Sequence, residues 1–518
     1  VYKTPRRDLN LAHFGFPRSS RKYNFKEFAH QAKGFTSSFL YSKVAADNGY
    51  IRQEMDQVLE SHPLTFNRAS VYRRALDAVE DNYWTVINEA AYNCPVTYGS
   101  DVDIHETRSS GFPLHNAVAT SAFSSCYGGF SPWNLNNLPY QAHSVVKNIK
   151  QPIPGVMSPF LYLGMLFSSF CWHTEDNDLY SINHIHFGAP KRWYVVPACA
   201  KDQCTRVLST LVPELVEKNP QIWYQLITQL SPLELIEAGV PVYTGIHRAG
   251  TSVVTFPGAY HAGFNCGLNV AESVNFACPD WLPWGLVSSQ IYRSIPRSSV
   301  ISMEQYLMFM LRKQKTLMHH QYNNTVGNSP LSMTPTAALP TSMELSAHSG
   351  ALTLDGWLLD TLRYFVSREE ILRSTLADAG LVRFVCVRPE APNKHWQKGE
   401  QSSMETVHGT PNTTTRSGRK VHTPFRRSRM LNSVLANDAD DESLGQEPPQ
   451  CCICLWDCYF SYLTCSNNCR VPSSHTKLPS NKSNVVCLEH SQSLCGCLPS
   501  EKIVYFKYSI EEMKKQQR

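Results

Sequence analysis

The sequence predicts an α+β protein in which a core of short strands is followed by a helical domain and a small cysteine-rich, zinc-binding domain. From residue 94 to about residue 283, short aromatic and β-branched runs alternate with Gly and Pro, which is typical of a sandwich or barrel of strands. Beyond Trp284, apolar residues recur at helical spacing. Nine of the 17 cysteines lie between Cys451 and Cys497, which indicates a separate metal-binding region.

Length and charge limit the classes of protein that fit. Single cores rarely exceed roughly 300 residues, so a chain of 518 residues is expected to form two or three domains. The 48 basic and 43 acidic residues give a net charge of +5, which is too small to indicate nucleic-acid binding. The longest apolar run, Phe160–Trp172, is too short to cross a bilayer, so no membrane segment is expected.

The first 93 residues form a lead-in of mixed and mostly helical character. Two patterns at helical spacing support this, formed by Glu54, Val58 and Leu59 and by Val71, Arg74 and Ala75. The strand-rich domain is expected over residues 94–293. Its clearest strand patterns are the β-branched and aromatic runs Lys191–Pro197 and Thr251–Phe256.

The helical domain is expected over residues 294–388, with a disordered polar insert at 323–350. Its two apolar stripes consist of Met303, Tyr306, Leu307, Met310 and Leu311 and of Leu354, Leu358, Leu362 and Phe365. Ser367, followed three residues later by Glu370, resembles a capping box and predicts that a further helix begins there.

Residues 389–450 are poor in apolar side chains and are expected to form a disordered charged linker. The linker carries a basic cluster of Arg416, Arg419, Lys420, Arg426, Arg427 and Arg429, followed by the acidic group Asp438, Asp440, Asp441 and Glu442. The basic cluster fits a nuclear-import signal or a DNA contact, and it fits a solvated linker equally well.

One short segment points to a mononuclear metal site. Residues two apart in an extended strand share a face, so His173 and Glu175 can bind one ion together. A non-haem iron(II) oxygenase needs two imidazoles and one carboxylate, and His261, which follows the run Thr251–Phe256 and a turn, is the best third ligand. His-x-Glu also occurs by chance, so the spacing alone leaves the metal interpretation open.

Longer segments around these residues resemble a known family. Ser168–Pro197 and Val253–Phe276 closely resemble the two halves of the catalytic core of Jumonji C (JmjC) histone demethylases. Phe14–Phe16, Tyr98–Asp101, Ser110–Pro113 and Trp133–Asn137 are similar to the JARID subfamily, which demethylates lysine four of histone H3. The resemblance implies a double-stranded β-helix, a jelly-roll or cupin-like core.

The resemblance also implies roles for individual residues. His173, Glu175 and His261 would bind iron(II), and Tyr162 and Ser273 would lie beside the substrate methyl groups. Residues implied to bind or surround 2-oxoglutarate are Tyr98, Phe170, Ser181, Asn183, Lys191, Trp193 and Asn265. The ordinary alternatives are that Lys191 is a solvated lysine at a strand end, that Tyr98 is a turn residue, and that Phe170 and Trp193 are aromatic core residues.

The implied activity is oxidative demethylation of a histone lysine, which yields succinate, carbon dioxide and formaldehyde. A nuclear protein that acts on the histone H3 tail or nucleosome within chromatin complexes is expected. Two alternatives stay open. Ser273 and His184 depart from the JARID pattern, which would suit a hydroxylase of another protein, and a catalytically weak chromatin scaffold is the third hypothesis.

The cysteine-rich region is expected over residues 451–500, with a C-terminal extension at 501–518. Cys451-x2-Cys454 and Cys487-x2-His490 are spaced as halves of a tetrahedral zinc site, since each pair sits on a tight turn. Ten candidate ligands exceed the eight that two sites require. Disulfides are the alternative, which scattered thiols in the rest of the chain disfavour.

Resemblance to the C-terminal zinc finger of JARID proteins implies how the ligands pair. One structural zinc ion would take Cys451, Cys454, Cys487 and His490, and a second would take Cys465, Cys469, Cys495 and Cys497. Cys452 and Cys458 are left over.

Overall fold

A computed structural model describes residues 21–44, 69–88, 94–104, 109–113, 131–142, 144–149, 152–218, 229–312, 354–387, 448–478 and 484–517. Four sequence predictions lie outside these residues. They are the Phe14–Phe16 match, the helical pattern at Glu54–Leu59, the insert at 323–350 and the charged clusters of the linker.

Helices flank the strand-rich region on both sides in sequence. The α-helices with defined bounds are Phe25–Val44, Ala69–Asn88, Lys201–Leu211, Pro213–Lys218, Pro232–Glu237, Leu282–Ser294, Leu354–Asp378 and Ile510–Gln516. Residues 303–312 are also helical. Within the described ranges, no helix carries an apolar stretch of the length that a bilayer crossing requires.

Within the described ranges, nine strands of the strand-rich region form two antiparallel sheets, as expected for a jelly-roll core. In chain order they are β1 Gly99–Asp103, β2 Phe160–Gly164, β3 Ser169–His173, β4 Tyr180–Gly188, β5 Lys191–Val196, β6 Tyr243–His247, β7 Ser252–Thr255, β8 Tyr260–Asn265 and β9 Asn269–Phe276. One sheet has the order β1-β2-β9-β4-β7 and the other β3-β8-β5-β6. Both strands predicted from apolar runs are present, as β5 and β7.

The smaller sheet is held rigid by a large aromatic and aliphatic cluster. Tyr83 of the helix Ala69–Asn88 is fully buried and stacks on Phe264 of β8 with ring centroids 3.9 Å apart. Its hydroxyl lies 2.9 Å from the hydroxyl of Ser169 at the start of β3. Aromatic stacking stabilises this contact by more than the buried apolar area alone contributes. The lead-in helix therefore supports the sheet that carries β3 and β8.

The helical region contains one continuous helix where two were expected. Leu354–Asp378 runs through Ser367, so the predicted capping box is wrong. Ser367 is exposed mid-helix. Buried Leu358, Leu362 and Phe365 precede it, and half-buried Leu372 and Leu376 after it pack against the same core. Because apolar packing continues past Ser367, it favours a single helix over the local capping signal.

The C-terminal region is joined to the helical region by a small sheet. Strands β10 Arg383–Cys386, β11 Ser461–Cys465 and β12 Lys502–Phe506 form a sheet of order β10-β12-β11. β12 pairs parallel to β10 and antiparallel to β11. One hydrophobic core includes Trp281, Phe365 and Phe460, so the strand-rich, helical and cysteine-rich regions pack together.

Candidate active site and zinc centres

Two neighbouring strands bring the three predicted iron ligands together. His173 ends β3 and lies directly opposite His261 of β8, with ring centroids 4.1 Å apart. Glu175 continues in extended conformation two residues later, and its Oε1 lies 3.4 Å from Nε2 of His261. One potential ligand atom from each of the three residues lies within 4.8 Å of the others.

Hydrogen bonds orient both imidazoles. Nδ1 of His173 lies 2.7 Å from the carbonyl oxygen of Cys171, and Nδ1 of His261 lies 3.0 Å from that of Ala259. A carbonyl only accepts hydrogen bonds, so each Nδ1 donates and each Nε2 carries a lone pair. The two backbone carbonyls thus orient both rings so that each Nε2 lone pair is available to a metal ion.

The protonation states at this site suit a metal cation. Burial, with the nearby His261, lowers the pKa of His173 to about 4, so its ring is neutral at physiological pH. Burial disfavours ionisation of Glu175, but its neighbours His261, His173 and Asn275 together outweigh burial, and the pKa falls to about 2. Two imidazoles and one carboxylate are the donor set that fits iron(II).

A buried lysine lies on the same sheet as the two histidines of the triad. Lys191 of β5 is 1% exposed, and its ammonium donates to Oδ1 of Asn265 at 2.6 Å and to the hydroxyl of Tyr98 at 3.4 Å. Among the described residues, no carboxylate forms an ion pair with it. Burial lowers the pKa of Lys191 to about 7. A desolvated ammonium favours an anionic ligand, and the distal carboxylate of 2-oxoglutarate fits this requirement.

Aromatic side chains lie between the lysine and the triad. Phe170 and Trp193 have ring centroids 4.7 Å apart, and Trp193 stacks near His261 at 5.6 Å. Both face Gly263 across the sheet, where a Cβ atom would lie 2.5 Å from the Phe170 ring and would also clash with the Arg192 carbonyl oxygen. Only glycine leaves room for this aromatic wall.

Among the described residues, several buried polar atoms in this part of the barrel have no hydrogen-bond partner, and two of them belong to predicted site residues. These two are Oδ1 of Asn183 and Nε1 of Trp193. Such atoms usually have a partner when buried, so a polar ligand is expected beside them. Ser181, by contrast, shares a hydrogen bond with Thr255 and lies opposite Asn275 in the β4–β9 register.

The predicted substrate residues lie on the larger sheet. Tyr162 packs near Tyr98 with ring centroids 6.1 Å apart and donates to Asp101 at 2.9 Å. Ser273 lies opposite Asn183 in the β4–β9 pair. The sequence had assigned no role to Asp101, although it lies within the Tyr98–Asp101 match.

Asn275 is a site residue that sequence reasoning missed. Its Nδ2 donates to Oε2 of Glu175 at 3.0 Å and to the carbonyl of Tyr180 at 3.1 Å. The signal was available, because Asn275 lies two residues after Ser273 in β9 and so shares its face. Asn275 hydrogen-bonds one carboxylate oxygen of Glu175, and the other oxygen lies near His261.

The first candidate zinc centre is buried. Cys451, Cys454, Cys487 and His490 each place a ligand atom within 4.8 Å of the others. Sγ of Cys454 and Cys487 are 3.8 Å apart, and Sγ of Cys487 is 3.2 Å from Nδ1 of His490. Thiolates at tetrahedral zinc are separated by about 3.8 Å, so the arrangement fits a closed structural site.

The second candidate centre is more exposed. Cys465, Cys469, Cys495 and Cys497 meet the same 4.8 Å criterion, and Sγ of Cys469 and Cys497 are 3.5 Å apart. The other two cysteines of the region, Cys452 and Cys458, lie outside both groups. Every cysteine in the described part of the chain is free of disulfides, as expected for metal-binding thiols.

Two family models match this chain, one over the candidate iron site and the other over the candidate zinc centres. The model described as the JmjC domain, a hydroxylase, matches residues 160–276, which span the triad and Lys191. The model of the C5HC2 zinc finger matches residues 451–516. Along the chain the two zinc groups read five cysteines, one histidine and two cysteines, in agreement with that model's name.

This chain carries a JmjC domain and a C5HC2 zinc finger. The predicted jelly-roll core with a helical region and a zinc-binding domain is therefore confirmed. The JmjC domain implies iron(II) and 2-oxoglutarate as cofactor and co-substrate, and the finger implies zinc ions. The residues described above fit all three.

Similar proteins carry lysine-demethylase names. Lysine-specific demethylase JMJ17 of Arabidopsis thaliana is 31% identical over 84% of this chain and 28% of its own length. Lysine-specific demethylase 5D of Homo sapiens is 28% identical over 96% of this chain and 24% of its own length. Lysine-specific demethylase 5B of Gallus gallus is 37% identical over 59% of this chain and 18% of its own length.

The chain thus spans less than a third of the length of these relatives. The similarity confirms the predicted resemblance to JmjC demethylases of the JARID type.

Proposed function

We propose that this chain is an iron(II)- and 2-oxoglutarate-dependent oxygenase that demethylates histone H3, with tri- or dimethylated lysine four as its substrate. One observation carries the proposal. The two histidines of the set His173, Glu175 and His261 lie on the same sheet as Lys191, a buried cation with no carboxylate partner in the described ranges. 2-Oxoglutarate would meet two requirements of this site. An iron(II) oxygenase site has open coordination positions for a co-substrate, and a buried cation requires a carboxylate partner.

The reaction balances with one molecule each of 2-oxoglutarate and oxygen. Iron(II), which His173, Glu175 and His261 would hold, would supply the oxygen activation that hydroxylates an N-methyl group while 2-oxoglutarate is converted to succinate and carbon dioxide. The resulting N-hydroxymethyl lysine loses formaldehyde when its C–N bond breaks. No lone pair on the substrate nitrogen is required, so trimethyl-lysine is an acceptable substrate.

The chain's own residues bind and orient the reactants. Lys191 would hold the distal carboxylate of 2-oxoglutarate, with Tyr98 and Asn183 as further hydrogen-bonding partners. Phe170 and Trp193 exclude water from that pocket. The Tyr162 ring and Ser273 would face the methylammonium group, since aromatic faces and oxygen atoms favour a cation. Ser181 and Asn265 act indirectly, through Thr255 and Lys191 respectively.

The cellular setting follows from the same activity. The relatives' names describe lysine-specific demethylases, which supports a histone H3 tail or nucleosome as partner and a place in nuclear chromatin complexes. A DNA contact through the basic cluster of the linker is part of this proposal and rests on sequence alone.

The proposed domain arrangement keeps the boundaries predicted from sequence. Residues 94–293 form the catalytic domain, 294–388 the helical domain, 389–450 a linker and 451–500 the zinc finger, with a lead-in before and an extension after them. The shared hydrophobic core favours these domains acting as one unit.

A protein hydroxylase is the second candidate, and one observation favours it. Ser273, where JARID proteins commonly have alanine, lies opposite Asn183 and adds a hydroxyl to the substrate side of the site. Such a change alters substrate recognition while keeping the oxygen chemistry. A non-catalytic scaffold is the weaker alternative, because it leaves the metal and co-substrate residues without a role.

Mass spectrometry of peptide products distinguishes these functions. The protein is incubated with iron(II), 2-oxoglutarate, ascorbate and an H3 peptide trimethylated at lysine four, with a peptide trimethylated at another H3 lysine as control. Loss of one or two methylene masses from the first peptide supports demethylation, and a gain of one oxygen mass supports hydroxylation. No change in the H3 peptides with folded, iron-loaded protein would contradict demethylation, a gain of one oxygen mass on a peptide from another protein would favour the hydroxylase, and His173→Ala is the inactive control.

A further inference from the structure

Arg293 of the helix Leu282–Ser294 reaches from the end of the JmjC region into the zinc finger. Its Nη2 donates to Sγ of Cys487 at 3.0 Å, and its Nη1 donates to Oε1 of Glu489 at 2.7 Å. The Arg293 side chain is only 12% exposed. A thiol that belongs to the first zinc group therefore has a cationic hydrogen-bond donor from outside the finger.

The charge of the zinc group explains why a cation is needed here. Three thiolates, from Cys451, Cys454 and Cys487, and the neutral ring of His490 give a net charge of about −1 around zinc(II). All three cysteines are buried, where an uncompensated charge is costly. A guanidinium at hydrogen-bond distance from one sulfur reduces that cost.

The guanidinium is held firmly in this position. Its Cζ lies 5.1 Å from the ring centroid of Trp456, and that of Arg368 lies 5.6 Å from the same ring. Arg368, from the helix Leu354–Asp378, also donates to Glu489 at 3.0 Å. Trp456 in turn donates through Nε1 to the buried carboxylate of Glu304 at 3.0 Å. The planar fork of arginine suits these simultaneous contacts better than a lysine ammonium.

We infer that Arg293 is a positioning residue for the first zinc centre. Arg293 compensates the charge of the Cys487 thiolate, and zinc affinity therefore depends on docking of the finger against the JmjC domain. Zinc binding and docking are then thermodynamically linked, so each strengthens the other. The finger supplies the ligands, and the catalytic domain supplies the counter-charge.

Metal release from the full chain tests this inference. Both zinc sites are loaded with cobalt(II), whose visible spectrum differs between a site with one histidine ligand and a site with cysteine ligands alone. Metal loss to excess chelator is then followed at each site. The variants are Arg293→Gln and Arg293→Lys. The matched control is Arg363→Gln, because Arg363 is 45% exposed and pairs only with Asp360 among the described residues.

The expected result is specific to the first site. Arg293→Gln should release the ion of the histidine-containing site about tenfold faster or more, with the ion of the all-cysteine site unchanged. Arg293→Lys, which keeps the charge, should fall between Arg293→Gln and the unmodified protein, and Arg363→Gln should behave as the unmodified protein. Equal release from the histidine-containing site in all variants would overturn the inference. So would equal acceleration at both sites with a lower Tm, which indicates general destabilisation.

Discussion

His173 and His261 are directly opposed residues of the antiparallel β3–β8 pair, and their ring centroids lie 4.1 Å apart. Strand register therefore sets the distance between the two imidazoles. A slip of one residue would turn one of them to the other face of the sheet. The backbone carbonyls of Cys171 and Ala259, each two residues before a histidine, fix both ring orientations.

Replacing one imidazole should disable the metal site without unfolding the sheet. His173→Ala is expected to lower iron(II) affinity by more than about a hundredfold, because a ligand is lost rather than merely an outer-shell partner. Anaerobic titration with iron(II) measures the affinity. The control is His30→Ala, which removes an exposed histidine. Unchanged iron affinity in a folded His173→Ala protein would rule out the assigned ligand set.

Binding of 2-oxoglutarate should depend on pH through Lys191. Burial lowers the pKa of this ammonium to about 7, so above that pH it is largely neutral before the anion binds. A bound dicarboxylate favours the protonated form, so binding takes up a proton. Affinity should therefore fall as pH rises above about 7, by up to about tenfold per pH unit.

Calorimetry in buffers of different ionisation enthalpy measures this proton uptake. Lys191→Met removes the cation and should both weaken binding and abolish the uptake. If the variant keeps the same proton uptake as the unmodified protein, another group is responsible and the assigned role of Lys191 is wrong.

A methyl group at Gly263 should disturb the aromatic wall. Gly263→Ala places Cβ 2.5 Å from the Phe170 ring, so the free energy of unfolding should fall by about 1–3 kcal/mol. Weaker 2-oxoglutarate binding should accompany this change. Gly245→Ala is the matched control, because a Cβ at Gly245 meets no atom within 4 Å. Equal stability of the two variants in denaturant titration would contradict the packing argument.

The two zinc ions should leave in a fixed order. Cys469, Cys495 and Cys497 are partly exposed, whereas Cys451, Cys454 and Cys487 are buried. A chelator titration should therefore empty the second site first, and only loss of the first ion should lower Tm strongly. Cys469→Ser should reduce the zinc content from about two ions to about one. Early loss from the buried site would contradict this order.

The sequence was sufficient for features that depend on local spacing. The run Lys191–Pro197 predicted a strand, and the alternation at His173 and Glu175 indicated that the two side chains share a face, because side-chain direction in strands follows a period of two. The spacing alone left the metal interpretation open. The family resemblance supplied the co-substrate residues. Ser367 shows the opposite case. A local capping signal predicted that a helix begins there, but Ser367 lies inside the continuous helix Leu354–Asp378 because the apolar face of that helix packs on both sides of it.

Contacts between distant parts of the chain could not be predicted in this way. Arg293 and Cys487 are 194 positions apart, and no local pattern marks an arginine as the partner of a thiol. Asn275 likewise gains its role only because β9 brings it beside Glu175, 100 positions away. Such pairs depend on how regions dock, which a single sequence does not encode in its spacing.

Coupling of the two products tests the central claim most directly. With an H3 peptide trimethylated at lysine four, the protein should release formaldehyde and succinate in a ratio of about one, since each methyl oxidised consumes one co-substrate. His173→Ala should release neither above background. Succinate formed without formaldehyde, or at a rate independent of the methylated peptide, would contradict the assignment of this site as a lysine demethylase.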